Sequence, residues 1–162
     1  ERAEEKPSVV SFHAPGARRS RDGESIFEVD QAGGAFRTGA HSADTLEGTL
    51  TGVGMSDLPF PMYTFHMISP GGDRFRIQIN KKLSISLVAL LCGAGGLKGR
   101  TLTIKVSSDG KFAQYSARLD GRPLGWAADF RVPPVSGGDY TRRLAYLDSA
   151  VGRINSNCQK TS

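Results

Sequence analysis

The sequence predicts a mainly β protein, an antiparallel sandwich or barrel of about seven to ten strands with one C-terminal amphipathic helix packed on the sheet. Three observations predict it. Twenty glycines and eight prolines in 162 residues cut the chain into short elements. Apolar residues alternate at period two through most segments from residue 45 to residue 128. A helical spacing of four, three, four, three and four appears once, in Tyr140, Leu144, Leu147, Val151, Ile154 and Cys158.

Residues 1–24 form a charged, turn-rich and partly irregular N-terminal segment whose one apolar run, Val9–Phe12, suits a short edge strand. Residues 25–162 read as a single β-rich domain. Ser25–Asp30 and Ala35–His41 flank Gln31-Ala32-Gly33-Gly34, which predicts a hairpin. Thr45–Met55 carries Leu46, Gly48, Leu50, Gly52 and Gly54 on one parity, a strand whose glycines let it bend or let another backbone approach. Leu58-Pro59-Phe60-Pro61-Met62 follows as a proline-locked connector.

Beyond Tyr63 the register can be argued residue by residue. A three-residue Pro70-Gly71-Gly72 loop, with Gly72 left-handed, pairs Met67 with Phe75, Phe65 with Ile77 and Tyr63 with Ile79, so both apolar rows share one face. His66 then lies beside Arg76 on the other face, with Arg74 nearby. Leu83–Cys92 is apolar on both parities and ends at Gly93–Gly96, which predicts a central strand buried on both faces.

Thr101–Arg131 predicts a three-stranded meander. Two-residue turns at Asp109-Gly110 and Asp120-Gly121 would set Ile104, Tyr115 and Trp126 side by side on the inner face. On that register Trp126 is buried against Tyr115, and truncating it to Ala would cost roughly 3–5 kcal/mol. Phe112 and Arg118 fall on the outer parity. The closing helix, about residues 140–158, has Asp139 as its N-cap and lies against the sheet. That placement brings Cys158 to Cys92 and predicts a disulfide closing 65 intervening residues, worth on the order of 4 kcal/mol.

Composition bounds the function. The chain is 38% hydrophobic and 23% charged, with a mean hydropathy of -0.29, and no apolar segment approaches the ~20 residues of a spanning helix, so membrane insertion is not expected. The net charge of +5 is scattered over Arg18, Arg19, Arg21, Arg74, Arg76, Lys81, Lys82, Lys98, Arg100, Arg142 and Arg143, without the clustered footprint of a nucleic-acid domain. His13, His41 and His66 stand in three different segments without ligand spacing, and the cysteines form no C-x-x-C, so no metal is expected. There is no G-x-S-x-G. Glu24, Glu28, Asp30, Asp44 and Glu47 read as a solvated carboxylate cluster. Gly93–Arg100 lacks the G-K-[ST] ending of a phosphate loop and precedes a strand, so no nucleotide and no other cofactor is expected.

Absent catalytic motifs point away from an enzyme. The predicted disulfide and a first residue of Glu1 point to an exported domain, periplasmic or extracellular, that binds a protein partner or forms part of an envelope or extracellular assembly. Its contact residues would be His66, Arg74, Arg76, Phe112 and Arg118. A meander followed by a terminal helix near a disulfide resembles the lipocalin layout in element order. The Gly-x-Trp signature of the first lipocalin strand is absent, and the one tryptophan is Trp126. That resemblance implies the alternative function: carriage of a small apolar ligand in a cavity lined by Tyr63, Phe65, Tyr115 and Trp126. An enzyme of unrecognised type is the third reading.

Overall fold

The computed structural model describes residues 20–161 apart from Asp22, so the expected Val9–Phe12 strand, Arg18, Arg19 and His13 lie outside the described residues. Nine strands form one curled sheet, a half-barrel, with helices packed on its inner face. The strands are β1 (Ser25–Asp30), β2 (Ala35–Thr38), β3 (His41–Ala43), β4 (Thr45–Ser56), β5 (Met62–Ile68), β6 (Arg74–Asn80), β7 (Leu102–Ser108), β8 (Ala113–Leu119) and β9 (Arg122–Pro123). The helices are α1 (Ile85–Cys92) and α2 (Thr141–Asn157). The spatial order is β3-β2-β1-β6-β5-β4-β7-β8-β9.

Seven of the eight pairings are antiparallel, and β1 runs parallel to β6, so the sheet is mixed. An up-and-down barrel pairs neighbours in sequence. The parallel β1–β6 contact therefore separates this topology from the lipocalin layout that the element order resembles. The curl brings the β1–β2 loop to the β7–β8 end, where Ser108 Oγ donates to Gln31 O at 2.8 Å and Gln31 Oε1 accepts from Ala113 N at 2.9 Å.

The β5–β6 register is the expected one: Met67 opposite Phe75, Phe65 opposite Ile77, Tyr63 opposite Ile79 and His66 opposite Arg76. Ser69 N donates to Asp73 O at 2.8 Å, closing a loop of Pro70, Gly71 and Gly72, and Gly72 has φ +91°. β4 also behaves as its glycines predict. Its ladder to β5 shifts between Leu50 and Gly52, and a Cβ on Gly48 would stand 2.4 Å from Ile68 O. At the shift, Asn155 of α2 acts as a short strand substitute, accepting from Val53 N at 2.7 Å and donating to Val53 O at 2.9 Å.

The expected central strand over Leu83–Cys92 is a helix instead. Lys81–Leu83 forms a 3-10 turn whose entry is capped by Asn80 Oδ1, which accepts from Lys82 N at 2.9 Å, and α1 follows. Both edges of β6 are already occupied by β1 and β5, so the run has no ladder to join. An apolar segment without a partner strand satisfies its own amides as a helix, and six of the eight α1 residues are buried.

The same helix displaces the third meander strand. Asp120 (φ 51°) and Gly121 (φ 84°) make the expected two-residue turn, pairing Leu119 with Arg122, and Leu124 N still donates to Ala117 O at 2.9 Å. The chain then leaves the sheet because Ala127 N donates to Ala89 O near the end of α1, at 3.1 Å. Close contact is possible because residue 93 is glycine: a Cβ there would lie 2.6 Å from Gly125 O. Ala127 and Phe130 turn inward and Trp126 turns out to 56% exposure, so Trp126 is not buried against Tyr115. The other meander turn also differs. Asp109 Oδ1 accepts from Lys111 N and Phe112 N, each at 2.9 Å, making a four-residue loop that pairs Val106, not Ile104, with Tyr115.

α2 buries Leu147, Val151 and Ile154 as its stripe predicts, and it packs on α1 as well as on β4. The helix starts at Thr141 with Tyr140 in the cap position, and the Asp139 carboxylate still accepts from Thr141 N at 2.9 Å. The expected disulfide does not form: Cys92 and Cys158 are buried free thiols. Cys92 Sγ donates to Ala150 O at 3.5 Å. Ala150 precedes Cys158 by eight residues, about 12 Å along a helix axis, well beyond disulfide reach.

A candidate binding groove beside the first turn of α1

Two of the large apolar side chains left exposed, Phe112 at 49% and Trp126 at 56%, line one groove. The groove encloses about 480 Å³. One wall is Lys82, Leu83, Ile85 and Ser86 from the 3-10 turn and the start of α1; the other is Phe112–Tyr115, leading into β8. Each position follows from local folding. The Asp109 loop ends the strand pairing one residue after Phe112 and leaves that ring outside the ladder. Trp126 is turned out by the Ala127–Ala89 hydrogen bond and is supported from behind. It meets Phe130 edge-to-face at 5.8 Å, and Phe130 meets Tyr146 of α2 edge-to-face at 5.4 Å. Tyr146 is itself fixed, its hydroxyl accepting from Arg131 N at 2.7 Å. A second hollow of about 490 Å³, lined by Cys92, Gly93, Asp129 and Arg153 among others, lies on the far side of Trp126, so the indole stands as a ridge.

Tyr115 belongs to the groove lining and is otherwise buried. Its hydroxyl is enclosed and has no hydrogen-bond partner among the described residues. Gln31 lies beside it, outside hydrogen-bonding geometry, with its carbonyl oxygen committed to Ala113 N. Burial pushes the Tyr115 phenol up to about 12. Charge at the groove is one-sided among the described residues: the lining contains the ammonium of Lys82 and no carboxylate. Lys82 Nζ sits 3.9 Å from the centroid of the Tyr140 ring, and Lys111 Nζ lies 5.5 Å from that of Phe112.

The five expected contact residues do not form one face. His66 and Arg76 meet across β5 and β6, and buried Glu24 joins them: Arg76 Nε donates to Glu24 Oε1 at 2.6 Å, and His66 Nδ1 is 3.8 Å from Glu24 Oε2. Arg74 is exposed at the start of β6. Arg118 is on β8, donating to Gly121 O at 3.1 Å beside a polar hollow of about 450 Å³ that includes Lys105. Phe112 alone of the five lines the aromatic groove. The four expected cavity residues also divide. Tyr63 and Phe65 are fully buried core, 6.5 Å apart edge-to-face, whereas Tyr115 and Trp126 line the surface groove.

Sequence reasoning missed Lys82, Leu83 and Ile85 as groove residues because it expected Leu83–Cys92 to be a strand directly after Lys82. It also missed buried Lys81, whose Nζ lies 3.0 Å from Asp148 Oδ1 and 5.1 Å from the Tyr63 ring centroid. Tyr63 donates to the same Asp148 oxygen at 2.7 Å, and burial with that carboxylate pushes its phenol far up. This Lys81–Asp148–Tyr63 group ties β5 and the turn before α1 to α2. No cluster of three or more metal-ligating side chains occurs among the described residues, and no helix there is long and apolar enough to cross a membrane. Compared with protein-family models, with curated proteins and with solved structures, the chain matches none.

Proposed function

We propose that this protein is a non-catalytic binding domain that takes an apolar group into the groove between α1 and β8. One observation carries the reading: an indole and a phenyl ring remain exposed along the same concavity, whereas Phe27, Phe36, Tyr63, Phe65, Phe75 and Phe130 are buried. Exposed apolar groups gathered in a concave site mark binding surfaces more often than chance scatter does, and a volume near 480 Å³ falls in the range of small-molecule sites. The aromatic stack behind Trp126 fixes its ring in advance, which reduces the entropy lost on binding. The expected disulfide was one support for export into an envelope or extracellular compartment, and with both thiols free that support is gone; the binding reading does not depend on the compartment.

Titration with N-phenyl-1-naphthylamine, an uncharged dye that brightens in apolar sites, tests this. Saturable one-to-one binding to the native protein is expected, weakened at least about fivefold in Trp126→Ala and in Phe112→Ala, the loss of a moderately good aromatic contact. Absence of saturable binding, or equal binding by both variants, would overturn it.

A further inference from the structure

We infer that the natural occupant of the groove is a small amphipathic anion, an apolar body carrying a carboxylate or a comparable acidic group; this rests on the groove reading above. Three features support the anionic part. Among the described residues the lining carries the Lys82 ammonium and no carboxylate, so a bound anion meets a cation without an opposing charge from them. Lys82 is placed by the fold: it leaves the 3-10 turn capped by Asn80, and its Nζ rests 3.9 Å from the Tyr140 ring centroid. The nearest acidic side chain of the β7–β8 loop, Asp109, is turned back onto its own loop, accepting from Lys111 N and Phe112 N. Those two bonds, with Phe112 N foremost, hold its carboxyl below the usual range, and they leave Lys111 at the lip as a second cation. Ile85, Phe112 and Trp126 receive the apolar body, and the acidic group sits toward Lys82.

A matched pair of ligands separates charge from apolarity. Octanoate and octanol share one chain and absorb no light at the tryptophan band, so each can be titrated against the emission of Trp126, the protein's one tryptophan. Both are expected to bind and shift the emission to the blue. In Lys82→Gln the affinity for octanoate relative to octanol falls roughly two- to fivefold, the scale of an exposed ion pair, and Lys82→Arg retains the wild-type ratio. Raising salt lowers the wild-type ratio in the same direction. An unchanged ratio in Lys82→Gln, with octanol still binding, would overturn the anionic assignment while leaving the groove reading intact. Failure of both ligands to shift Trp126 in wild-type protein would overturn both. Lys82 is exposed, and near-ultraviolet circular dichroism of each variant confirms that the fold persists.

Discussion

The β5–β6 hairpin and the β7–β8 hairpin use the same alphabet, alternating apolar and polar residues around a glycine-containing loop, and they spend their aromatic rings differently. In the first, Tyr63, Phe65 and Phe75 are wholly inside, and the one polar group on these three rings, the Tyr63 hydroxyl, reaches Asp148. In the second, Phe112 and the following Trp126 face solvent, and the Tyr115 hydroxyl has no partner among the described residues. Alternation does not decide the difference. The loop at Asp109 and the Ala89 carbonyl, which accepts from Ala127 N as well as from Gly93 N, do, because both draw backbone out of the ladder. One region thereby closes over its rings and the other leaves two of them exposed.

The largest separation is expected from the same substitution in both places. Phe65→Ala should cost about 3–5 kcal/mol in denaturant melts, as for a fully buried ring, and Phe112→Ala less than about 1 kcal/mol. Comparable losses would mean that Phe112 is packed like core. Next in size, Gly48→Ala forces a Cβ to 2.4 Å from Ile68 O in the closed region and should cost roughly 1–3 kcal/mol. Gly52→Ala, whose Cβ would stand 3.5 Å from Asn155 Oδ1, should cost far less.

Smaller but opposite in sign are two Tyr→Phe changes. Tyr63→Phe removes the hydrogen bond to Asp148 and should destabilise by about 1 kcal/mol, whereas Tyr115→Phe removes a buried hydroxyl without a partner and should be neutral or stabilising by up to about 1 kcal/mol. A clear loss in Tyr115→Phe would show that its hydroxyl is bonded in solution.

The alkaline limb of stability gives the mildest test. Burial raises Cys158 from 9.0 to about 11 and Tyr115 from 10.0 to about 12, so the neutral forms favour the folded state. Their contribution is complete below the unfolded values and is lost as pH rises through the folded ones. Urea midpoints should therefore hold to about pH 9 and fall from there to about pH 12, with a shallower fall above pH 10 in Tyr115→Phe. A flat profile would contradict the burial of both groups.

The β5–β6 register, the glycine strand, the Asp120-Gly121 turn and the α2 stripe were legible because each depends on residues close in sequence or on one periodicity. The parallel β1–β6 pairing was not, since no local pattern encodes which edge a strand chooses. α1 was misread for the same reason: a run of eight residues, apolar but for Ser86, fits either a buried strand or a buried helix, and the occupied edges of β6 settle the matter. Everything that builds the groove followed from that choice. Phe112 was legible as an outward residue, but its meeting with Trp126 and Lys82 depends on α1 being a helix whose end recruits Ala127.

The state of Trp126 tests the central claim most directly, because no other tryptophan contributes to the emission. Acrylamide quenching of the native protein, without and then with saturating octanol, reads both the exposure of the indole and the occupation of the groove. Free Trp126 is expected to be readily quenched, nearly as in the unfolded chain, and octanol to shift its emission to the blue and reduce the quenching constant about twofold or more, as for an aromatic wall covered by an apolar ligand. A native indole already shielded from acrylamide, or one whose quenching octanol leaves unchanged, would contradict the central claim.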